Sequence, residues 1–252
     1  MLGRSTAVNQ PTTVSGNNMS PLRIATWNIG GGFISANNGN SFDEENLPYF
    51  ASELKKLNCD IVCLQEVHLS ISPNQPDQAA ILSSLLNYPF QEICACDFER
   101  PSHLKSDQLL AIAIISRFRM IRSQYLTLSN PDLTVISKKE TEWITHDKGF
   151  LKTTLEANRS EFDVITGHNV PFRAFKRDFM EPEFSHIRQE IEAFVLASAQ
   201  KGPTIFIGDI NYEDVERLLP RLFAAGFSKA LSNGGTEPIS GAHIDHIIIS
   251  RE

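Results

Sequence analysis

The chain has no excess of basic residues, since 23 Lys and Arg stand against 30 Asp and Glu, a formal net charge of −7 over 252 residues. A protein that binds nucleic acid broadly and without specificity needs a basic face, so this balance argues against that class. It leaves room for an enzyme that acts on nucleic acid through a local basic patch. It also suits a site built from carboxylates that needs a divalent cation.

Long apolar runs are also lacking. No stretch approaches the ~18 consecutive apolar residues of a transmembrane helix, so we expect no membrane span. The first twenty residues, MLGRSTAVNQPTTVSGNNMS, lack the apolar centre of a signal peptide. Their polar composition predicts a disordered N-terminal segment over residues 1–21, followed by one domain over residues 22–252.

Cysteine is scarce, with four residues at Cys59, Cys63, Cys94 and Cys96. Neither pair has the spacing of a zinc site with histidine partners. We expect reduced, mostly buried thiols and a cytoplasmic location, with a disulfide as the less favoured alternative.

Short apolar runs alternate with amphipathic segments along the chain. Apolar residues at spacings of three and four predict a helix over residues 46–57, with Asn46 as its N-cap. FLKTTLEA and FDVITGH flank the turn NRSE and predict an antiparallel hairpin. Hairpins mixed with crossover helices predict an α/β domain in which packed mixed sheets have helices outside.

Polar residues recur where predicted strands end. The oxygen atoms of carboxylates and amides are the ligands that Mg²⁺ and Mn²⁺ prefer, and Asn and His suit the oxygens of a phosphate. The candidates are Asn28, the pair Gln65-Glu66, His168 in TGHN, Asp209 and Asn211 in GDIN, and Asp245, which interrupts the last apolar run. The pattern predicts a site at the strand ends.

Seven stretches carry a resemblance to a known family: RIATWNIGGG, DIVCLQEVH, LLAIAIISRF, KGFLKTTLEA, VITGHNVPF, IFIGDINYED and HIDHIIIS, in order from residue 23 to 250. The chain resembles the endonuclease/exonuclease/phosphatase superfamily, the deoxyribonuclease I-like metal-dependent phosphodiesterases. The resemblance implies a four-layer sandwich of two packed mixed β-sheets flanked by helices. It also implies hydrolysis of phosphoric ester bonds by a metal-activated water, without a covalent enzyme intermediate.

The resemblance assigns roles position by position. Glu66 would be the principal ligand of Mg²⁺ (or Mn²⁺), and Asn28 would hold the metal or one of its waters. Asp209 would orient or deprotonate the attacking water, and Asn211 would hold a phosphoryl oxygen. An ordinary alternative is that Asp209 or Asn211 caps the helix that follows.

Two further catalytic positions follow from the same motifs. His168 would contact the phosphate, although a lone histidine is more often structural. Asp245 matches the acidic residue of the family's Ile-Asp-Tyr strand. His68, just past Glu66, is predicted to be a loop residue without a catalytic role.

The stretch that follows His168, NVPFRAFKRDFMEPEF, interleaves basic and aromatic residues. One interpretation is an ordinary exposed loop with anchoring aromatics. The other is a substrate wall, in which the basic residues bind phosphates and a ring stacks on a base. The basic residues are Arg173, Lys176 and Arg177, and the rings are Phe172, Phe175 and Phe179.

The resemblance breaks at the C-terminal end. Family members continue past the Ile-Asp-Tyr strand to a Ser-Asp-His motif and one more strand, whereas this sequence stops at Glu252. We therefore expect the last strand to be lacking and a neighbouring strand to be unpaired on one side. Side chains alternate along a strand, which predicts that His246 points away from the site and that His243 shares the face of Asp245.

The sequence thus predicts a metal-dependent phosphodiester hydrolase, in first place a nuclease or DNA-processing phosphodiesterase whose partner is a nucleic acid or another phosphodiester substrate. One alternative is a phospholipid or inositol-phosphate hydrolase. Another is a catalytically impaired binding domain, because the Ser-Asp-His motif is absent.

Overall fold

The computed structural model describes residues 21–34, 44–97, 107–136, 142–230, 234–237 and 240–251. The segment predicted to be disordered, residues 1–21, lies outside this part of the chain except for Pro21. None of the helices within these ranges combines the length and the apolar character needed to cross a membrane.

Strands supply the larger share of the regular structure. They are β1 (Ile24–Asn28), β2 (Phe33–Ile34), β3 (Glu44–Glu45), β4 (Ile61–Ser70), β5 (Phe90–Asp97), β6 (Gln108–Ser116), β7 (Arg119–Thr127), β8 (Thr134–Ile136), β9 (Glu142–Ile144), β10 (Gly149–Ala157), β11 (Ser160–His168), β12 (Thr204–Asp209), β13 (Ser228–Lys229) and β14 (Asp245–Ile249). The α-helices are α1 (Leu47–Leu57), α2 (Gln78–Leu86), α3 (Ser185–Ala199), α4 (Val215–Leu218) and α5 (Pro220–Ala224).

The long strands form two mixed sheets, which confirms the α/β prediction at that level. The four-stranded sheet has the order β1-β4-β6-β5, and the six-stranded sheet has the order β13-β14-β12-β11-β10-β7. The predicted hairpin is β10–β11. Among the described residues, β1 pairs with β4 on one side and with no strand on the other.

Three apolar clusters hold these elements together. One lies between the two sheets and combines Ile61 and Ile112 of the first sheet with Val164 and Ile207 of the second. Another packs α1 and α2 on the outer face of the four-stranded sheet, and the third packs α3, α4 and α5 on the outer face of the six-stranded sheet. The central strands are therefore buried on both faces, which explains their continuous apolar runs.

The first helix forms as predicted. The Asn46 side chain accepts a hydrogen bond from the Tyr49 backbone N–H at 3.0 Å, which is the N-cap interaction expected of Asn. Leu47, Phe50 and Leu54 are buried against the sheet. The four cysteines are free thiols, and Cys94 alone among them is not fully buried, which confirms the prediction of reduced, mostly buried thiols.

Strand β4 departs from the prediction that Gln65-Glu66 closes it. The strand continues to Ser70, because a bulge between Leu64 and Val67 restores its pairing with β6 beyond Glu66. His68 is consequently part of β4 and 3% exposed, so its prediction as a loop residue is wrong. Its backbone N–H donates to the Gln78 side chain at 2.9 Å.

Candidate active site

Three strands end side by side at one rim of the paired sheets. Asn28 is the last residue of β1, His168 of β11 and Asp209 of β12, and β14 begins at the same rim with Asp245. Parallel pairing places His168 beside Asp209, and antiparallel pairing places Asp245 on the other side of Asp209. The rim therefore collects side chains from segments that are far apart in the sequence.

Asp209 contacts most of the residues at this rim. Its Oδ2 accepts a hydrogen bond from Asn28 Nδ2 at 3.1 Å and lies 3.7 Å from His168 Nε2. Its Oδ1 accepts a hydrogen bond from the Asn211 backbone N–H at 3.0 Å. On the other side of the histidine ring, Glu66 Oε1 lies 3.8 Å from His168 Nδ1. The structure thus brings these five predicted residues into one cluster.

The cluster concentrates negative charge. Burial and then the charge of Asp245 raise the pKa of Asp209 to about 8, and the charge of Glu66 adds to this effect. The hydrogen bonds from Asn28 and Asn211 act in the opposite direction, because they favour the ionised form. Three carboxylates that interact in this way are an arrangement that a cation stabilises.

Glu66 reaches the cluster from inside the bulge of β4. Its backbone φ is 53°, in the left-handed region that non-glycine residues seldom adopt. Its neighbour Gln65 is fully buried and anchors the bulge between the sheets, with hydrogen bonds to Thr26 of β1 at 3.1 Å and Thr166 of β11 at 3.0 Å. The unusual backbone conformation at Glu66 is therefore held by a buried polar contact between the sheets.

Glycines directly before His168 and Asp209 allow the strands to approach closely. A Cβ atom on Gly208 would lie 2.3 Å from the carbonyl oxygen of Gly167, and a Cβ on Gly167 would lie 2.2 Å from the Phe150 ring. Close packing of the strand ends therefore requires glycine directly before His168 and directly before Asp209.

The helix-cap alternative for Asp209 and Asn211 is wrong. Helix α4 begins after Asp214, whose carboxylate accepts from the Arg217 backbone N–H at 3.1 Å and forms the cap. Asn211 has a φ of 54°, and its side-chain amide donates to the Asn169 carbonyl oxygen at 2.9 Å. Both residues are thus used at the rim and not at the helix.

Lys148 belongs to the site although the sequence did not single it out. It precedes β10, is 7% exposed, and its Nζ lies 3.2 Å from His168 Nδ1. Lysine is almost never fully buried unless it is paired. The motif KGFLKTTLEA entered the family resemblance only as a predicted strand. The sign of Lys148 in the sequence was its place directly before that buried strand.

The two histidines of HIDH lie together. His246 is 1% exposed, its Nε2 is 2.8 Å from the Tyr212 carbonyl oxygen, and its ring centroid is 5.0 Å from that of His243. The reason for expecting His243 on the face of Asp245 does not apply, because β14 begins at Asp245 and strand alternation does not extend back to His243. Burial, first of all, lowers the pKa of His246 to about 4.

The aromatic part of the predicted substrate wall is wrong. Phe172, Phe175 and Phe179 are 2%, 5% and 1% exposed, so they anchor the loop in the core and cannot stack on a base. Arg177 donates to Glu181 at 2.9 Å and lies over the Phe184 ring, so it holds the loop itself together.

The other two basic residues of this loop point to solvent. Arg173 is bonded to Glu213 at 2.7 Å while its side chain is 68% exposed. Lys176 is exposed and has a φ of 58°. The structure leaves these two side chains accessible to a substrate.

One exposed ring beside this loop was missed by the sequence analysis. Trp143 of β9 is 40% exposed, and its ring centroid is 4.9 Å from that of Phe175. It places an accessible aromatic face next to the loop that follows His168.

The donor set fits a hard divalent cation. Within the ranges that the structure describes, no three His, Cys, Asp or Glu side chains form a ready metal-binding group. Mg²⁺, however, is usually bound through one or two carboxylates and keeps several waters. Glu66 is a carboxylate with a side chain 30% exposed, and Asp209 adds a second carboxylate to the cluster. Asn28 donates from its amide nitrogen to Asp209, and its Oδ1 accepts from the Gly30 backbone N–H at 3.1 Å. These oxygen ligands suit Mg²⁺ or Mn²⁺.

Comparison with solved structures places this fold among known ones. A structure from Beutenbergia cavernae described as endonuclease/exonuclease/phosphatase has a TM-score of 0.66 and 15% identity over 91% of this chain, which spans 64% of the length of that one. The human Nocturnin catalytic domain, solved with a bound sulfate anion, has a TM-score of 0.59 and 18% identity over 92% of this chain and 82% of its own.

A third structure, the mannosyl-6-phosphatase Bt3783 of Bacteroides thetaiotaomicron, has a TM-score of 0.58 and 16% identity over 92% of this chain and 86% of its own. Identities this low establish the fold alone. No curated protein sequence matches the chain.

Comparison with protein-family models is decisive for the family. The model of the Endonuclease/Exonuclease/phosphatase family matches residues 25–252, which is nearly the whole chain. The match includes every residue of the rim, from Asn28 to Asp245. The chain therefore belongs to the endonuclease/exonuclease/phosphatase family.

Proposed function

We propose that this phosphoesterase is a Mg²⁺- or Mn²⁺-dependent phosphodiesterase whose substrate is a nucleic acid. The observation that carries the proposal is the cluster of carboxylates, amides, an imidazole and an ammonium group at one rim of the sheets. Its members are Asn28, Glu66, Lys148, His168, Asp209, Asn211 and Asp245. Acidic groups for a cation and hydrogen-bond donors for a phosphate are both present.

The residues divide the work of hydrolysis. Glu66 and Asn28 would hold the divalent cation, which when bound would supply positive charge near the phosphoryl oxygens and lower the pKa of a water. Asp209 orients that water and accepts its proton, a task for which a carboxyl with a raised pKa is suited. The side chains of Asn211 and His168 donate hydrogen bonds to phosphoryl oxygens on which negative charge develops.

The surroundings of the rim favour a nucleic acid over a small phosphate ester. Trp143 offers an exposed aromatic face, and base–aromatic stacking contributes roughly 1–3 kcal/mol per base. Arg173 and Lys176 are exposed on the loop that contacts Trp143 through Phe175. Such a local combination of stacking and positive charge is compatible with an acidic protein.

The direct test compares substrates. We expect Mg²⁺-dependent hydrolysis of bis(4-nitrophenyl) phosphate, of single-stranded DNA and of RNA, abolished by EDTA and by Asp209→Asn. Phosphomonoesters, inositol phosphates and phospholipid vesicles are the competing substrates in the same assay. Hydrolysis of one of these in preference to the nucleic acids would reject the substrate assignment.

A lack of turnover on every substrate would reject the enzyme itself. In that case retained binding of oligonucleotides would identify a catalytically impaired binding domain.

A further inference from the structure

A buried lysine faces the back of the histidine at the rim. Lys148 Nζ is 3.2 Å from His168 Nδ1, while both residues are less than a tenth exposed. We propose that Lys148 is a positioning residue, which donates a hydrogen bond to Nδ1 and thereby keeps the ring hydrogen of His168 on Nε2, toward the phosphate. The catalytic part of this inference rests on the proposed function.

The backbone fixes Lys148 in this position. The next residue, Gly149, pairs directly with His168 across the β10–β11 hairpin, and the Lys148 carbonyl accepts from the Leu128 N–H at 2.9 Å. A Cβ atom on Gly149 would lie 2.3 Å from both the Leu126 carbonyl oxygen and the Tyr125 hydroxyl. The chain is therefore closely packed here, and the lysine side chain starts from a fixed point.

The chemistry of the two groups determines the tautomer. An ammonium group has three hydrogens to donate and no lone pair to accept with, so the imidazole nitrogen that it contacts must be an acceptor. The ring hydrogen is then on Nε2, the nitrogen that lies 3.7 Å from Asp209 Oδ2. That nitrogen faces the side of the ring on which the proposed attack takes place.

Glu66 competes for the same nitrogen with the opposite effect. A carboxylate beside Nδ1 favours a hydrogen on Nδ1, which leaves Nε2 as a base. Glu66 Oε1 lies 3.8 Å from Nδ1, beyond hydrogen-bonding distance, whereas Lys148 Nζ lies within it at 3.2 Å. The lysine contact therefore prevails, and His168 acts as a hydrogen-bond donor and not as a general base.

The test uses the nitrogen shifts of the histidine ring together with steady-state kinetics. Lys148→Met keeps an unbranched side chain, one atom shorter, and removes its donor, whereas Lys148→Gln has the same reach as Met and keeps a neutral donor. Lys152→Met is the matched control, because Lys152 lies on β10, the strand that Lys148 precedes, but packs over the Phe194 ring. Protein labelled with ¹⁵N-histidine gives the His168 signals, which His168→Gln identifies.

We expect the wild type, Lys148→Gln and Lys152→Met to carry the hydrogen on Nε2, and Lys148→Met to lose this preference. In Lys148→Met, kcat on bis(4-nitrophenyl) phosphate should fall about 10- to 100-fold with little change in KM, as is typical when the orienting partner of a working histidine is lost. Lys148→Gln should recover most of this loss, and this variant also serves if Lys148→Met does not fold.

Two results would overturn the inference: a wild-type ring with its hydrogen on Nδ1, or unchanged kcat in folded Lys148→Met. Both differ from the failure of the proposed function, which is an absence of metal-dependent turnover in the wild type whatever the ring tautomer.

Discussion

Asp209 is the residue whose ionisation links the site to the stability of the protein. Its pKa is raised to about 8, first by burial and then by Asp245 and, more weakly, Glu66. A carboxyl whose pKa is higher in the folded than in the unfolded chain binds its proton more tightly when folded. Stability from this group is therefore fully present below the unfolded pKa and is lost as pH rises toward 8.

A divalent cation should reverse this loss. We expect Mg²⁺ to raise Tm more at pH 8, where Asp209 is ionised against its neighbours, than at pH 5, where it is protonated. At 100 times the Kd the stabilisation is about 2.7 kcal/mol, or roughly 5–10 °C for a chain of this size. Differential scanning fluorimetry measures both shifts. Asp209→Asn should remove the difference, and an equal Tm gain at both pH values contradicts the account.

Glu66 should be required for the cation itself. Glu66→Gln removes a charged oxygen ligand and preserves the size of the side chain, so Mg²⁺ affinity should fall at least ~100-fold, more than for the loss of an outer-sphere partner. Calorimetric titration gives the affinity, and circular dichroism shows whether the fold is intact. The matched control is Glu156→Gln, which changes a half-buried carboxylate on β10 that is paired with Arg119. Unchanged affinity in folded Glu66→Gln would refute the ligand assignment.

The site residues that end a strand were predictable from the sequence. Asn28, His168 and Asp209 end β1, β11 and β12 and lie together at the rim. Lys148 was not predictable, because a lysine before a strand is normally solvated and its burial depends on the pairing of β10 with β11. Trp143 was missed because a tryptophan is normally expected in the core. It is exposed here because β8 and β9 form a separate two-stranded sheet.

At the scale of elements, the site depends on strands that run unusually close to one another. Gly208 packs directly against Gly167, and this close contact places the next residue, Asp209, within hydrogen-bonding distance of Asn28. The bulge that carries Glu66 could not be predicted from DIVCLQEVH, because its apolar run gives no sign of where pairing with β6 shifts. The helix over residues 47–57 was predictable, since its cap and its buried positions are local.

Gly208→Ala tests this close approach. Its Cβ would lie 2.3 Å from the Gly167 carbonyl oxygen, a backbone atom that cannot move alone. We expect β12 to shift and the free energy of unfolding to fall by about 1–3 kcal/mol. Displacement of Asp209 by ~1 Å should reduce kcat/KM about 100-fold.

Gly202→Ala is the control, because a Cβ there meets nothing within 4 Å. Chemical denaturation and steady-state kinetics check both variants. Wild-type activity in Gly208→Ala would show that the strand contact does not position Asp209.

At the scale of the whole molecule, two mixed sheets pack through an apolar cluster and leave their strand ends as one rim. The clusters on the outer faces favour the four-layer sandwich that the family resemblance implied. The alternation of hairpins and helices made the sheets predictable, whereas the division of strands between two sheets depends on long-range pairing that no local pattern encodes. The β8–β9 hairpin carries the exposed ring of Trp143 beside the loop that follows His168.

That hairpin should matter for large substrates and not for small ones. A nucleic acid extends past the reacting phosphate, so Trp143→Ala should remove a stacking contact of roughly 1–3 kcal/mol and raise KM for a single-stranded oligonucleotide about 5- to 150-fold. Bis(4-nitrophenyl) phosphate has no nucleotides beyond the reacting phosphate, so its kcat and KM should stay at wild-type values. Ile121→Ala, which removes an exposed apolar side chain of similar accessibility (37% against 40%) on β7, is the control and should affect neither substrate. Equal effects of Trp143→Ala on both substrates would mean that the ring acts by supporting the loop at Phe175. An unchanged KM for the oligonucleotide would mean that the hairpin does not contact the substrate.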